Sequence, residues 1–348
     1  MKKLLYLIII YIPFLLTACD VHEWPETPES TQFHLRLNYK TEMTEWHHQY
    51  NKEEVVEQGY GEIYDNHLEY GKIRYIVRAY PILEKNQSPR TYSHEFLYTK
   101  NISDGYNHEV TLDLPGGDYQ IMVWSDMIES SDHSYFYDAT NFAEIVLQGL
   151  HQANTDHRDA FYGIGNITLV SDIMEYVPDT LDITMQRPMA KYEFITTDLE
   201  AFVKKELEYL SKEAESRGEE APSRVIFEDY RAVFYYSGFM PNTYNMYLNK
   251  PVDSAQNIMY ESKLELLGNG QASLGFDYVY TNGVQSAVTI QVGFYDKEER
   301  QVALSAPINV PLCRDHHTIM KGAFLISETS GGIIIHPEFD GNHNIIIK

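Results

Sequence analysis

Cysteine is close to absent: the 348-residue chain holds two, Cys19 and Cys313. A disulfide framework is thereby excluded for a body whose one further cysteine is Cys313, and stability must come from an ordinary core. Basic residues are also scarce, 27 Lys and Arg against 51 Asp and Glu, for a formal charge of -24. Nucleic acid needs a basic footprint on its phosphates, so this balance excludes it as a partner and disfavours direct adhesion to anionic lipid. The sequence also lacks G-x-G-x-x-G, a phosphate-binding G-x-x-x-x-G-K-[ST], a G-x-S-x-G elbow and an H-E-x-x-H helix. No residue therefore earns a catalytic role or a cofactor, and the expected class is non-enzymatic with no cofactor.

A membrane-spanning run is missing too. The apolar segment Leu4 to Leu16 follows Lys2 and Lys3, and it is shorter than the roughly 20 residues that span a bilayer. It reads as the h-region of an export signal over residues 1–18. Leu16-Thr17-Ala18-Cys19 ends that region and resembles the lipobox of bacterial lipoproteins. The resemblance implies acylation of Cys19 and membrane attachment through several acyl chains, since one chain is a marginal anchor. Residues 19–30, with Pro25, Pro28 and four acids, read as an acidic tether.

From Thr31 to Lys40 apolar and polar residues alternate, as in a half-buried strand. The same period returns in 72–83, 109–114, 119–125, 166–170 and 181–186, and then in 225–236, 258–267, 271–280, 286–295, 301–311 and 318–326. Separators such as Pro115-Gly116-Gly117 and Gly268-Asn269-Gly270 are turn-rich. The pattern predicts an all-β chain of two antiparallel β-sandwiches, spanning 31–187 and 188–348 with a boundary near Arg187-Pro188. One segment differs. In 198–217, Leu199, Phe202, Val203, Leu207 and Leu210 recur at helical spacing between a capping Asp198 and Gly218.

Several stretches invite a site. Leu114 to Asp126 (LPGGDYQIMVWSD) has too few glycines for a phosphate loop, and its flanks alternate. It reads as a hairpin around Pro115-Gly116-Gly117, with Trp124 facing away from the row Tyr119, Ile121, Val123. Cys313 and His317 share a face of an extended strand but lie about 13 Å apart, too far for one zinc ion. His47-His48 reads as an exposed polar loop. Asp126, Asp132 and Asp138 match no calcium loop. Tyrosine is abundant at 28 residues, and the cluster Tyr135-Phe136-Tyr137 is the best loop surface for a ligand, with Tyr135 and Tyr137 as candidates.

Taken together, LPGGDYQIMVWSD, Arg158-Asp-Ala-Phe-Tyr-Gly163, Gln186-Arg-Pro-Met-Ala-Lys191, Val310 to Gly322 and Gly331-Gly-Ile-Ile-Ile335 resemble motifs of the fimbrillin-like superfamily, the anchor and pilin lipoproteins of type V fimbriae. The resemblance implies transthyretin-like β-sandwiches in tandem, an outer-membrane lipoprotein facing the cell surface, and an anchor or accessory role in fimbrial assembly or adhesion. Implied partners are fimbrial subunits joined by β-strand addition, or host and glycan ligands; a glycan-binding surface lipoprotein is the alternative. Polymerising relatives lose their first strand to an arginine-specific protease. Between the first strand and Lys72 the basic residues here are Lys40 and Lys52, while Arg36 sits inside the strand, so the chain is expected to keep both strand and lipid. The terminal run Asn344 to Lys348 is expected to close its own sheet.

Overall fold

The computed structural model describes residues 30–52, 54–66, 68–82, 91–128, 136–170, 179–282 and 285–326. It is a β-rich chain with one α-helix among these residues, arranged as two sandwiches and a smaller sheet between them. In the first sandwich a three-stranded sheet holds β1 (Ser30–Tyr39) between β11 (Asp179–Met185) and β6 (His108–Pro115). The facing sheet runs β10 (Ala160–Leu169), β7 (Gly117–Ile128), β4 (Lys72–Pro81) and β5 (His94–Asn101). The inward row of β1, Phe33, Leu35 and Leu37, meets Tyr75 and Val77 of β4 and Ile121 and Val123 of β7 in one core. Period-2 alternation thus places every second residue inside, as the sequence indicates.

Leu114 to Asp126 is not a hairpin. β6 pairs with β1, whereas β7 pairs with β4 and β10, so Pro115-Gly116-Gly117 carries the chain from one sheet to the other. The local turn chemistry is the same in both cases; the pairing partners lie far away in sequence. Gly117 is still required, since its φ is 151°. Gly163 answers to a different need: a Cβ there would stand 2.4 Å from Ile183 Cγ2 and 2.7 Å from Met185 Sδ, so its absence lets β10 close onto β11.

The second sandwich has a six-stranded sheet in the order β17 (Glu265–Gly268), β18 (Gln271–Tyr280), β12 (Met189–Thr196), β22 (His316–Gly322), β2 (Glu42–Tyr50) and β3 (Val55–Asp65). Opposite stand β16 (Met259–Ser262), β13 (Tyr230–Tyr236), β19 (Gln285–Asp296) and β20 (Gln301–Leu304), with β21 (Ile308–Cys313) also on β19. The core between them joins Phe194, Phe234, Ile290, Phe294 and Met320. Three ladders are parallel, β1 with β11, β12 with β22 and β2 with β22; the other pairings are antiparallel.

The boundary near Arg187-Pro188 does not separate the pairings. β2 and β3, from the first half of the chain, join the second sandwich through β22. In a small sheet β8 (Tyr137–Asp138) and β9 (Ile145–Leu147) pair with β14 (Met240–Asn245) and β15 (Lys250–Ala255). That small sheet covers the outer face of β7 and β4, and Trp124 is buried there with Met122, Tyr137, Phe142, Tyr244 and Tyr280. Its indole Nε1 donates to Asp126 Oδ2 at 2.9 Å.

The helix, α1 (Leu199–Arg217), stops at Gly218 in the left-handed conformation, φ 70°. Phe202 is buried in the second core with Leu199, Val203 and Leu207 packed beside it, a burial that contributes about 1.5–3 kcal/mol for Phe202 alone. Asp198 does not cap the first turn. Its carboxylate accepts from the backbone N–H of Leu325 at 3.1 Å and of Ile326 at 2.9 Å, which ties the end of the described chain to the helix start.

Candidate functional site

A cluster of buried ionisable side chains lies where the two sandwiches meet. The chain leaves the small sheet at β9, makes a 3-10 turn at Asp156–Arg158 and enters β10. The turn places Arg158 against Asp277 on β18, and both are buried. Asp277 also accepts from Tyr236 Oη at 2.7 Å and from the Tyr278 backbone N–H at 2.7 Å, with His151 Nε2 at 2.7 Å. Arg158 donates further to the carbonyls of Gln152 at 2.8 Å and Tyr278 at 3.3 Å. Burial pushes the Asp277 carboxyl up, but the Arg158 guanidinium and the His151 side chain more than offset it, and the group is held below its usual range.

A second pair follows one residue on. Asp159 receives Arg187 Nε at 2.9 Å, and the Arg187 guanidinium also donates to the carbonyls of Lys40, Thr41, Glu42 and Asn66. Lys40 to Glu42 is the point where the chain crosses from β1 to β2, so Arg187 pins that crossing. Here burial wins: it lifts the Asp159 carboxyl above its usual value even against Arg187. Lys191 completes the series, 2.8 Å from Asp156 Oδ1 and 4.2 Å above the Phe276 ring. The turn that opens Arg158-Asp-Ala-Phe-Tyr-Gly163 and the segment Gln186-Arg-Pro-Met-Ala-Lys191 are thus the two sides of one charged junction.

Chemically, this arrangement is a clamp. Each of these carboxylates is occupied by guanidinium, ammonium, imidazole or hydroxyl donors. A cavity of about 120 Å³ opens next to it, with His151, Arg158, Gln148, Asn242, Phe136 and Leu147 among its walls; that is room for a few water molecules.

Of the residues singled out from sequence, Cys19 and Tyr135 lie outside the described residues, as do Asp132, the Gly331 to Ile335 motif and the terminal run from Asn344. Tyr137 is not on an exposed loop: it is 1% exposed, its hydroxyl donates to the Arg158 carbonyl, and its ring meets Trp124 edge-to-face at 5.5 Å. The short strand β8 draws it inward where local sequence shows only a polar connection. Tyr137→Phe is therefore expected to cost about 1 kcal/mol of stability in denaturant unfolding, with the fold retained.

His47 and His48 are not in a loop either; both lie on β2, His48 buried and His47 2.8 Å from Glu45 Oε2. Cys313 and His317 stand on successive strands, β21 and β22, joined by a turn at Asp315 with φ 59°. His317 is buried between Tyr64 Oη at 2.8 Å and Glu193 at 3.1 Å, and burial holds its imidazole below the usual value. Asp126 is taken by Arg74 Nε at 2.8 Å and by Trp124. Among the described residues no group of His, Cys, Asp and Glu is placed to hold a metal ion, and no helix is long and apolar enough to cross a membrane.

Sequence reasoning missed His151 and Asp277. The signal available for Asp277 is a single acid in the apolar run Leu274 to Tyr280, where an unpaired charge is too costly to persist.

Two β-sandwiches joined in this way define a class of β-rich modular proteins. Residues 27–348 match a family of unknown function (DUF6562), and the chain belongs to that family. No curated protein matches it. Similar solved structures include a candidate adhesin from Bacteroides thetaiotaomicron, at TM-score 0.41 and 10% identity over 83% of this chain and 82% of that one. A candidate polysaccharide-binding protein from the same organism gives TM-score 0.39 and 13% identity over 78% and 80%. The fimbrial anchor protein Mfa2 from Porphyromonas gingivalis gives TM-score 0.35 and 10% identity over 79% and 82%. These chains overlap this one loosely, and no residue or role is taken from them.

Proposed function

We propose that this chain is a non-catalytic cell-surface lipoprotein of the fimbrillin-like class, held at the outer membrane by acyl chains on Cys19 and acting as an anchor or accessory subunit in fimbrial assembly or adhesion. One observation carries the reading: Leu16-Thr17-Ala18-Cys19 closes an apolar export segment, and the first strand of the fold begins at Ser30. A tether of about 11 residues spans at most roughly 36 Å, which keeps the body close to the bilayer.

The architecture supports the same reading. β1 is bonded on both sides, in parallel to β11 and antiparallel to β6, and Arg36 pairs with Glu109 at 3.5 Å. Cutting at Arg36 would require a central strand to open. A chain that keeps β1 keeps its covalent link to the lipid, as an anchor must. The junction of Arg158, Asp277, Arg187 and Asp159 joins the two sandwiches, so a load on one passes to the other.

The test is co-purification. An anchor or accessory subunit is expected to travel with filament proteins in a heat-resistant ladder on gels of surface extracts. Recovery as a free species, with no filament protein attached, would remove the assembly role.

A further inference from the structure

Beside the two arginine pairs of the junction, Lys191 stands in a different setting. Its side chain is 8% exposed, its Nζ lies over the rings of Phe276 and Tyr278 on β18, and it donates to an amide as well as to an acid. Asp156 Oδ1 is 2.8 Å from Nζ, and Asn66 Oδ1 is 3.4 Å from it. Cγ of Asn66 is one bond from that oxygen, so an amine nitrogen and a carboxamide carbon are held near the roughly 3–3.5 Å at which reacting atoms meet. Neither partner is free to drift. Asn66 directly follows β3; its backbone N–H donates to the Thr41 carbonyl at 3.0 Å, and its carbonyl accepts from Arg187 at 3.3 Å. Lys191 sits within the ladders that β12 forms with β18 and β22.

The other groups that amide exchange needs are in contact with this pair. Asp156 Oδ1 also accepts from Tyr278 Oη, and Asn66 Nδ2 donates to Tyr278 Oη at 2.9 Å. A line of hydrogen bonds thus runs from the attacking nitrogen, through a carboxylate and a phenol, to the nitrogen that would leave. We propose that Lys191 and Asn66 join in an intramolecular isopeptide bond, formed once in each folded molecule and not in turnover. Nζ, as the amine, gives its lone pair to Cγ; the Nζ–Cγ bond forms, and the Cγ–Nδ2 bond breaks with its electron pair going to Nδ2. Of the three protons on the Lys191 ammonium, one passes to Asp156 and on through Tyr278 Oη to Nδ2, which departs as ammonia. A second is released to solvent through Asp156, whose side chain is 34% exposed, and the third remains as the amide N–H. No oxidant or cofactor enters. Burial favours the first transfer, because it replaces two desolvated charges by two neutral groups. The bond would tie residues 125 positions apart, fastening the crossing from β3 to β4 onto β12, where a load passes between the sandwiches. The inference goes beyond the surface reading and does not depend on it.

The experiment denatures the folded full-length protein, digests it with trypsin and reads the peptides by mass spectrometry. The expected product is a branched peptide that contains both Asn66 and Lys191 and is lighter by one ammonia than its two arms. Lys191→Arg keeps the cation without the nucleophilic amine, and is expected to give the two arms separately. Tyr278→Phe keeps the ring and removes the relay hydroxyl; in freshly synthesised protein it is expected to slow bond formation by about a hundredfold, and an unchanged rate would overturn the relay. Separate, unmodified arms from the wild-type protein would overturn the proposal without recourse to any variant. So would loss of water in place of ammonia, which puts the bond on Asp156, or conversion of Asn66 to aspartate, which makes water and not Lys191 the attacking group.

Discussion

Asp277→Ala is expected to lower the unfolding free energy by about 3–5 kcal/mol, the range for breaking a buried ion pair from one side. The loss is large because Asp277 serves several donors at once. Its removal strands the Arg158 guanidinium in the interior and leaves His151 and the Tyr236 hydroxyl without their acceptor. The cost lies in desolvated groups left unpaired, not in the attraction between the partners. Arg158→Met combined with Asp277→Leu should recover the part due to the stranded guanidinium, because an apolar pair leaves no charge behind, while His151 and the Tyr236 hydroxyl still lack Asp277. Equilibrium denaturation of the single and double variants measures both. An Asp277→Ala loss below about 1 kcal/mol would mean that the junction is solvated and not a clamp.

The same carboxyl sets a pH dependence. Its pKa in the folded protein is lowered relative to the unfolded chain, so its contribution is present above the unfolded value of about 3.9 and is lost as pH falls through the folded one. Stability should therefore drop in acid below about pH 4, and Asp277→Ala should flatten that part of the profile.

Cys19→Ala is expected to abolish incorporation of labelled fatty acid and to move the protein from the membrane to the soluble fraction, changing the ratio between them by more than about tenfold. Each buried methylene contributes about 0.8 kcal/mol, so on the proposed reading attachment would rest on the chains and not on the acidic surface, which repels anionic headgroups. The body begins at Ser30 and should fold unchanged, with the same unfolding midpoint in the soluble variant. A variant that still labels, or that remains membrane-bound after a carbonate wash, would remove the lipid from the account.

β1 has one wet face and announces itself by alternation, and α1 by a stripe ending at Gly218; β4 and β18 alternate in sequence although both their faces are covered. β12 escaped although Ala190, Tyr192 and Phe194 alternate with Lys191 and Glu193; the run is short and follows Arg187-Pro188, which reads as a boundary. β2 and β3 were invisible for a different reason. Glu42 to Tyr50 is mostly polar, and it becomes a strand because β22 supplies a parallel partner. Leu114 to Asp126 shows the same limit: the turn is written locally, but the sheet that each arm joins is decided elsewhere.

The junction was half legible. Arg158, Arg187 and Lys191 stand in segments that could be quoted as family markers, but their acids could not be matched from sequence. Asp277 lies 119 positions from Arg158 and Asp159 lies 28 from Arg187. No spacing rule connects such pairs. Trp124, whose outward face alone gave no partner, is a core residue because β8, β9 and β14 fold over it.

The central claim is that this chain works at the cell surface with its first strand and its lipid in place. Mass spectrometry of the protein's N-terminal peptide, taken from intact cells by protease shaving, tests that claim most directly. The account predicts an acylated Cys19 joined through the tether to an uncut β1. A mature surface form that begins after residue 40, with neither lipid nor β1, would contradict it.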